Sequence, residues 1–313
     1  MTPKEGPPVV VMAAGLSTRY GRPKQVDPIG PDGAAIMDYT VFDAARAGFS
    51  RAIYVIRLEN EEEIRDHVAR FVGGSFPVEF VHQTLDDVPP GFRPPPDRRR
   101  PWGTGHAILC ASSYVSSPFA VCNADDLYGP NAFRELHAFL EQDPLPAEAA
   151  LVGYTLAETL SGRGGVSRGI CVLGRDRMLE QVTEVKEIHR VDGWISGVDP
   201  QGEVVELRGD EIVSMNLWGL TPAIVEGMRR QFVRFLDHWG TNTDAEFLLS
   251  TAINRQIRAG TARCAVLPTD DQWFGVTHRD DRDAAVQFLE KQVEAGVYPA
   301  DLSAAFRSLR PAG

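Results

Sequence analysis

Residues 9–25 read VVVMAAGLSTRYGRPKQ, a β-branched apolar run that breaks into a Gly/Ser/Thr loop carrying Arg19 and then Pro23-Lys24. Small residues let a main chain approach an anion closely, so such a loop offers backbone N–H groups and two cations to one phosphate chain. That is nucleotide chemistry. Ala13, Ala14, Gly15, Ser17 and Thr18 would form the approach, and Arg19 and Lys24 would supply the charge. No Gly-Lys-Ser/Thr closes the loop, which excludes a Walker A site, and the GxGxxG dinucleotide fingerprint is absent from it.

A second run, PFAVCNADDLYGP at 118–130, ends an apolar strand in Asn123-Ala124-Asp125-Asp126. Acidic side chains at the carboxyl end of a buried strand face the crevice where open α/β sheets bind ligands. Adjacent carboxylates repel unless a cation lies beside them. Hard oxygen ligands select Mg²⁺, which keeps waters and is held by one or two carboxylates together with substrate phosphates. Turn formation is the other role open to this pair. Between the two runs lie HQTLDD (82–87) and PWGTGHAILCA (101–111). Gln83 offers a donor and an acceptor, and the Gly103-Thr104-Gly105 turn exposes backbone groups, so together they suit the edge of a base. His106 is expected to orient or pack rather than to catalyse.

These segments need a scaffold that brings them together. Met37, Val41, Ala44, Ala45 and Gly48 recur at helical spacing and AIYVIR (52–57) reads as a buried strand, which with the first strand starts a βαβ unit. The alternation continues through an acidic helix near 60–72, a strand at 77–82, a helix from 105 and the strand at 118–122. That order predicts a doubly wound α/β fold, with a mixed, mostly parallel sheet covered by helices on both faces. Residues 85–101 hold too many prolines for a helix or central strand, and are expected to form a mobile or binding-ordered loop. Its arginines 98–100 would either guide phosphates or sit in solvent. From Ala149, ALVGYTL, GICVL, TEVKEIHRVDG and EIVSMNLWGL read as strands of a substrate-binding half. Thr221-Pro222 opens a further helix and Thr243-Asp-Ala-Glu246 matches a capping box for the next. The organisation expected is a domain over 1–279, divided into halves 1–148 and 149–279, with a helical segment at 280–313.

Net charge is −11, which disfavours broad attraction to nucleic acid and leaves local cations and metal to hold any polyanionic substrate. The four cysteines, Cys110, Cys122, Cys171 and Cys264, form no CxxC pair and read as reduced core residues. No apolar run approaches the length of a membrane span, and a cytoplasmic protein is expected.

The order of phosphate loop, Gln with GTGHA segment, and strand-end Asp resembles the sugar-1-phosphate nucleotidylyltransferases, across roughly residues 8–280 and with most likeness to bacterial uridylyl- and thymidylyl-transferring members. The resemblance implies the nucleotide-diphospho-sugar transferase fold. It also implies a Mg²⁺-dependent enzyme that joins a sugar 1-phosphate to a nucleoside triphosphate, UTP or dTTP, and releases pyrophosphate. It makes Arg19 and Lys24 catalytic and Asp125 the metal ligand. Gly153, Glu184, Lys186 and Asn216 fall where the family places contacts to the sugar phosphate, although Glu184 and Lys186 serve equally well as exposed charges.

The family also takes a second metal ligand from an Asp in a W-x-D-hydrophobic-G-T segment. Here the stretch reads DDQWFGVTHRDD, with Gly275 at the Asp position. Either Asp270 or Asp271 replaces it, or the metal rests on Asp125 and phosphates alone. Two other readings stay open: a nucleotide-sugar-dependent glycosyltransferase, and a nucleotide-binding protein without turnover.

Overall fold

In the computed structural model, residues 6–15, 24–161, 164–276 and 281–309 are described, and Ser17, Thr18 and Arg19 lie outside them. Every residue of β1 (Val9–Met12) is buried, as a strand covered on both faces requires. Val9 and Val11 belong to one apolar core and Val10 and Met12 to a second. This is the period-two alternation of a strand between two helical layers. β2 (Ala52–Ile56), β3 (Val78–His82) and β4 (Phe119–Asn123) run parallel to β1 in the order β3-β2-β1-β4. They are linked by α1 (Ile36–Ala47), α2 (Glu61–Phe71) and α3 (Thr104–Ala111). Register pairs Met12 with Asn123, so the ends of β1 and β4 emerge side by side.

The chain then forms β5 (Asp126–Leu127), α4 (Pro130–Glu141), β6 (Glu148–Thr155), β7 (Val166–Leu173), β8 (Leu179–Val191), β9 (Trp194–Val198), β10 (Val204–Leu207) and β11 (Ile212–Leu220). α5 (Pro222–Trp239), α6 (Leu249–Arg258), β12 (Arg263–Pro268), β13 (Phe274–Gly275), α7 (Asp281–Glu294) and α8 (Leu302–Ser308) follow. β11 pairs antiparallel with β4, β6 and β7, while β12 pairs parallel with β6 and β7-β8-β9-β10 continue antiparallel. The result is the expected mixed sheet, in which β1–β4 form one parallel block and β6 and β12 a further parallel pair. β13 pairs with β5 in a separate two-stranded ladder.

One core lies under α1, α2, α4, α7 and α8, and the other under α3, α5 and α6. The C-terminal segment is seated on α1: Tyr298 meets Tyr39 edge-on at 5.1 Å, Phe306 meets Phe42 at 5.2 Å, and both Leu302 and Phe306 are fully buried. Among the described residues, no helix is long and apolar enough to cross a membrane.

Three local expectations are corrected. The 243–246 segment opens no helix, since α6 begins at Leu249. Asn242 Oδ1 accepts from the amides of Asp244 and Ala245 in a local turn, and Phe247 bonds through its backbone to Trp102 and Gly105, so the segment is tied down outside any helix. The proline-rich 85–101 segment is anchored rather than loose. Arg98 is buried, donates to the carbonyls of Asn242, Pro101 and Ala245, and covers the Trp102 ring at 3.6 Å. Three carbonyl acceptors and an aromatic face offset the desolvation of one guanidinium. Arg98 therefore guides no phosphate. Thr221 precedes Pro222 at the start of α5 as expected, but its hydroxyl donates to the Pro146 carbonyl instead of capping the helix.

Candidate active site

Two cavities meet at the carboxyl ends of β1 and β4. The larger, about 490 Å³, is lined by Ala14, Gly15, Gln83, Gly103, Thr104 and Arg100, among others. The smaller, about 170 Å³, holds Asp126, Arg168, Glu184, Ser250 and Trp273. Asn123, Asp125 and Asn216 line both. Asn216 owes its place to an irregularity: β11 slips register between Ser214 and Trp218, and Asn216 sits there at φ 61°. Asn tolerates this left-handed conformation better than most residues, and the bulge turns it to the junction.

Lys24 starts a single helical turn, and its Nζ reaches Asp125 Oδ2 at 3.0 Å. The phosphate loop and the acidic strand end, 101 residues apart in sequence, therefore meet. Asp125 is the more exposed of the two acids, while Asp126 is buried. Asp126 Oδ2 accepts from Asn123 Nδ2 at 2.7 Å, and burial, with the Asp125 charge next in weight, raises its pKa to about 7.

Hydrogen-bond accounting fixes the orientation of Gln83. His106 Nε2 lies 2.6 Å from the Asp87 carbonyl, which only accepts, so Nε2 carries the proton. Nδ1 is then the acceptor for Gln83 Nε2 at 3.2 Å, and the second Gln83 N–H goes to the Gly103 carbonyl at 3.0 Å. A charged His106 would set donor against donor, and burial lowers its pKa, favouring the neutral ring. Both amide hydrogens are engaged, which leaves Gln83 Oε1 as an acceptor for a ligand.

The glycines of the GTG turn answer to a neighbour. A Cβ on Gly103 would lie 2.7 Å from the Phe247 carbonyl oxygen and one on Gly105 2.7 Å from the Phe247 ring. The Gly105 N–H donates to that same carbonyl, so it is not free to read a base. Thr104 lines the cavity, but its Oγ1 accepts from the Leu249 amide.

Gly275 faces Asp126 across the β13–β5 ladder. A Cβ at 275 would lie 2.6 Å from Asp126 Oδ1 and 2.4 Å from the Trp273 ring. The space a side chain at 275 would take is occupied by the Asp126 carboxylate. Neither Asp270 nor Asp271 lines either cavity: Asp270 accepts from Asn131 Nδ2 and Asp271 Oδ2 from the Ala132 amide, at the start of α4. Asp125 and Asp126 both line the smaller cavity and offer oxygen donors, a chemistry that would suit Mg²⁺.

Three other expected contacts stand apart. Ala13 lies in the core behind the loop and lines neither cavity. Gly153 is enclosed in the sheet, where a Cβ would meet Ile212 at 2.4 Å, so its role is close strand packing. Lys186 is exposed and touches neither cavity, although its charge opposes the upward pKa shift that burial gives Glu184. Sequence reasoning missed Arg168. It is buried in the smaller cavity, donates to Thr159 and to the Ser167 carbonyl, and lies 4.8 Å above the Trp273 ring. Its one sequence signal is an arginine two residues after Val166, on the inward phase of a strand.

No protein-family model matches the chain. Over 133 residues it is 33% identical to the UTP–glucose-1-phosphate uridylyltransferase YngB of Bacillus subtilis (strain 168), covering 38% of this chain and 43% of that protein. The match thus spans less than half of that relative. Among solved structures, a UDP-glucose pyrophosphorylase complexed with UDP-glucose aligns over 92% of this chain and 99% of its own, with TM-score 0.58 and 16% identity. The inositol-1-phosphate CTP transferase from T. maritima aligns over 94% and 98%, with TM-score 0.59 and 13% identity. HddC from Yersinia pseudotuberculosis, complexed with GMP-PN, aligns over 90% and 98%, with TM-score 0.55 and 17% identity. The fold is therefore that of the nucleotide-diphospho-sugar transferases, and the partial sequence match agrees with the resemblance to the sugar-1-phosphate nucleotidylyltransferases.

Proposed function

We propose that this chain, which has the nucleotide-diphospho-sugar transferase fold and that family's order of motifs, joins a sugar 1-phosphate to a nucleoside triphosphate and releases pyrophosphate. The observation that carries this reading is the meeting of two cavities at Asp125, with Lys24 3.0 Å away. The larger cavity suits a nucleotide and the smaller, polar one a sugar phosphate. Their shared wall is where the two phosphates would react.

An oxygen of the sugar phosphate attacks the α-phosphorus of the triphosphate, the new P–O bond forms as the bond to pyrophosphate breaks, and pyrophosphate leaves with the electron pair. The nucleophile is already ionised, so no general base is required. The protein's contribution is to position the reactants and neutralise charge. Lys24 and Arg19 would hold phosphate oxygens, and Gln83 would hold the base. Arg168, Glu184 and Asn216 would orient the sugar phosphate. Asp125 and Asp126 would hold Mg²⁺, which when bound offsets charge on the phosphates.

UTP or dTTP is the favoured nucleotide, because the acceptor-only Gln83 Oε1 matches the N3–H of uracil or thymine and opposes the bare N3 of cytosine. The YngB match, to a UTP-dependent protein, points the same way. A panel of nucleoside triphosphates against sugar 1-phosphates, read by pyrophosphate release, tests the reading. Release with UTP or dTTP and one sugar phosphate is expected. Transfer of sugar from a nucleotide sugar, or binding without turnover, would replace it with one of the two other readings.

A further inference from the structure

A third cavity, about 450 Å³, opens between α5 and α6, away from the site above. Its size is close to that of the nucleotide cavity. Ala147, Ala223 and Ala259 line it with short side chains, while Gln256 packs against Gly227. Its rim carries Arg230 and Arg234, one helical turn apart on α5, and Arg255 on α6; no carboxylate lines it. Among the described residues, Arg230 shares Glu226 with Arg229, whereas Arg234 and Arg255 form no ion pair.

Three arginines gathered around one hollow repel each other, in a chain whose net charge is −11. An anion relieves that repulsion, and guanidinium groups match phosphate oxygens in geometry as well as charge. The walls add polar groups. Gln231 Nε2 donates to the Ala252 carbonyl and Gln256 Nε2 to the Ile224 carbonyl. A phosphate alone would use the rim and leave the hollow empty. An organic phosphate would fill both.

We propose that this groove is a second binding site, for a small organic phosphate of nucleotide size, with the phosphate on Arg230, Arg234 and Arg255. α6 connects it to the active site. Arg255 is five residues, about 7.5 Å along the axis, from Ser250, which lines the smaller cavity. Asn254 Oδ1 accepts from the amide of Val182, two residues before Glu184 on β8. A ligand that draws Arg255 toward the groove therefore pulls on the helix that borders the sugar-phosphate pocket.

The test is calorimetric titration with UDP and, separately, inorganic pyrophosphate at fixed ionic strength. It uses the wild-type chain, Arg234→Glu/Arg255→Glu and Lys24→Ala. The double variant is expected to lose one UDP-binding event that Lys24→Ala retains. At this site UDP should bind at least tenfold more tightly than pyrophosphate. An isotherm for the double variant that superimposes on wild type overturns the site, and equal affinity for UDP and pyrophosphate overturns the organic ligand. If circular dichroism shows the double variant unfolded, the exposed Arg255→Gln exchange replaces it, with at least a fivefold loss of affinity expected and no loss overturning the site. Pyrophosphate release measured on the same variants is independent, so failure here leaves the proposed reaction untouched.

Discussion

Lys24 Nζ and Asp125 Oδ2 lie 3.0 Å apart, an ion pair that ties the end of the phosphate loop to the end of β4. In the proposed reaction each group would exchange the other for phosphate or metal when substrates enter. Both are partly exposed, so the pair itself contributes little to stability. Lys24→Ala should lower turnover by 100-fold or more, the effect of a few kcal/mol of lost charge stabilisation. Its urea midpoint should stay near wild type. Near-normal pyrophosphate release would remove Lys24 from the reaction.

In the proposed reaction His106 would act on the base through Gln83, whose Nε2 lies 3.2 Å from its Nδ1. His106→Phe keeps an aromatic ring beside Phe232, which the imidazole meets at 5.0 Å, but deletes the acceptor that holds one Gln83 N–H. Gln83 can then turn and donate to the base. The kcat/KM preference for UTP over CTP should fall by about tenfold, since discrimination rests on leaving a wrong base unpaired, with kcat for UTP within a few-fold of wild type. An unchanged preference would show that the amide is oriented by Gly103 alone.

Asp126 stands where a side chain at 275 would point. Asp126→Asn should raise the Mg²⁺ concentration for half-maximal rate several-fold, and Asp270→Asn, remote from both cavities, should not. Restoring an acid by Gly275→Asp should fail, because its Cβ would press on Trp273 and Asp126. Overpacking of this kind costs about 1–3 kcal/mol. A stable and more active Gly275→Asp protein would contradict the crowding.

Asp43, fully buried on α1, is raised to about 7 chiefly by burial, with Arg46 and the Tyr298 hydroxyl opposing the shift. The folded state holds this proton more tightly than the unfolded chain does. Its contribution is therefore fully present below the ordinary carboxylate pKa and is lost as pH rises toward 7. Asp43→Asn should thus narrow the drop in unfolding free energy between pH 4 and pH 8, by an amount on the order of 1 kcal/mol or more. Chemical denaturation at the two pH values measures it, and an unchanged difference would mean that Asp43 is ionised throughout.

The strand periods and the βαβ alternation were legible in the sequence because each depends on neighbours a few residues away. Buried runs make strands, and Asn-Ala-Asp-Asp ends a strand wherever that strand lies. Pairing was not legible. That Lys24 meets Asp125, that Asp126 fills the space beside Gly275, and that Asp271 holds the amide of Ala132 in α4 follow from register between strands distant in the chain. The 85–101 and 243–246 segments misled for the same reason. Their local composition suits a loop and a capped helix, but Arg98 and Phe247 find backbone partners on each other's segments, and those contacts outweigh local preference. Arg168 is buried only because Trp273 and Thr159 come together around it. Local periodicity sets which elements form, and the packing of remote segments sets which of their polar groups remain free for a ligand.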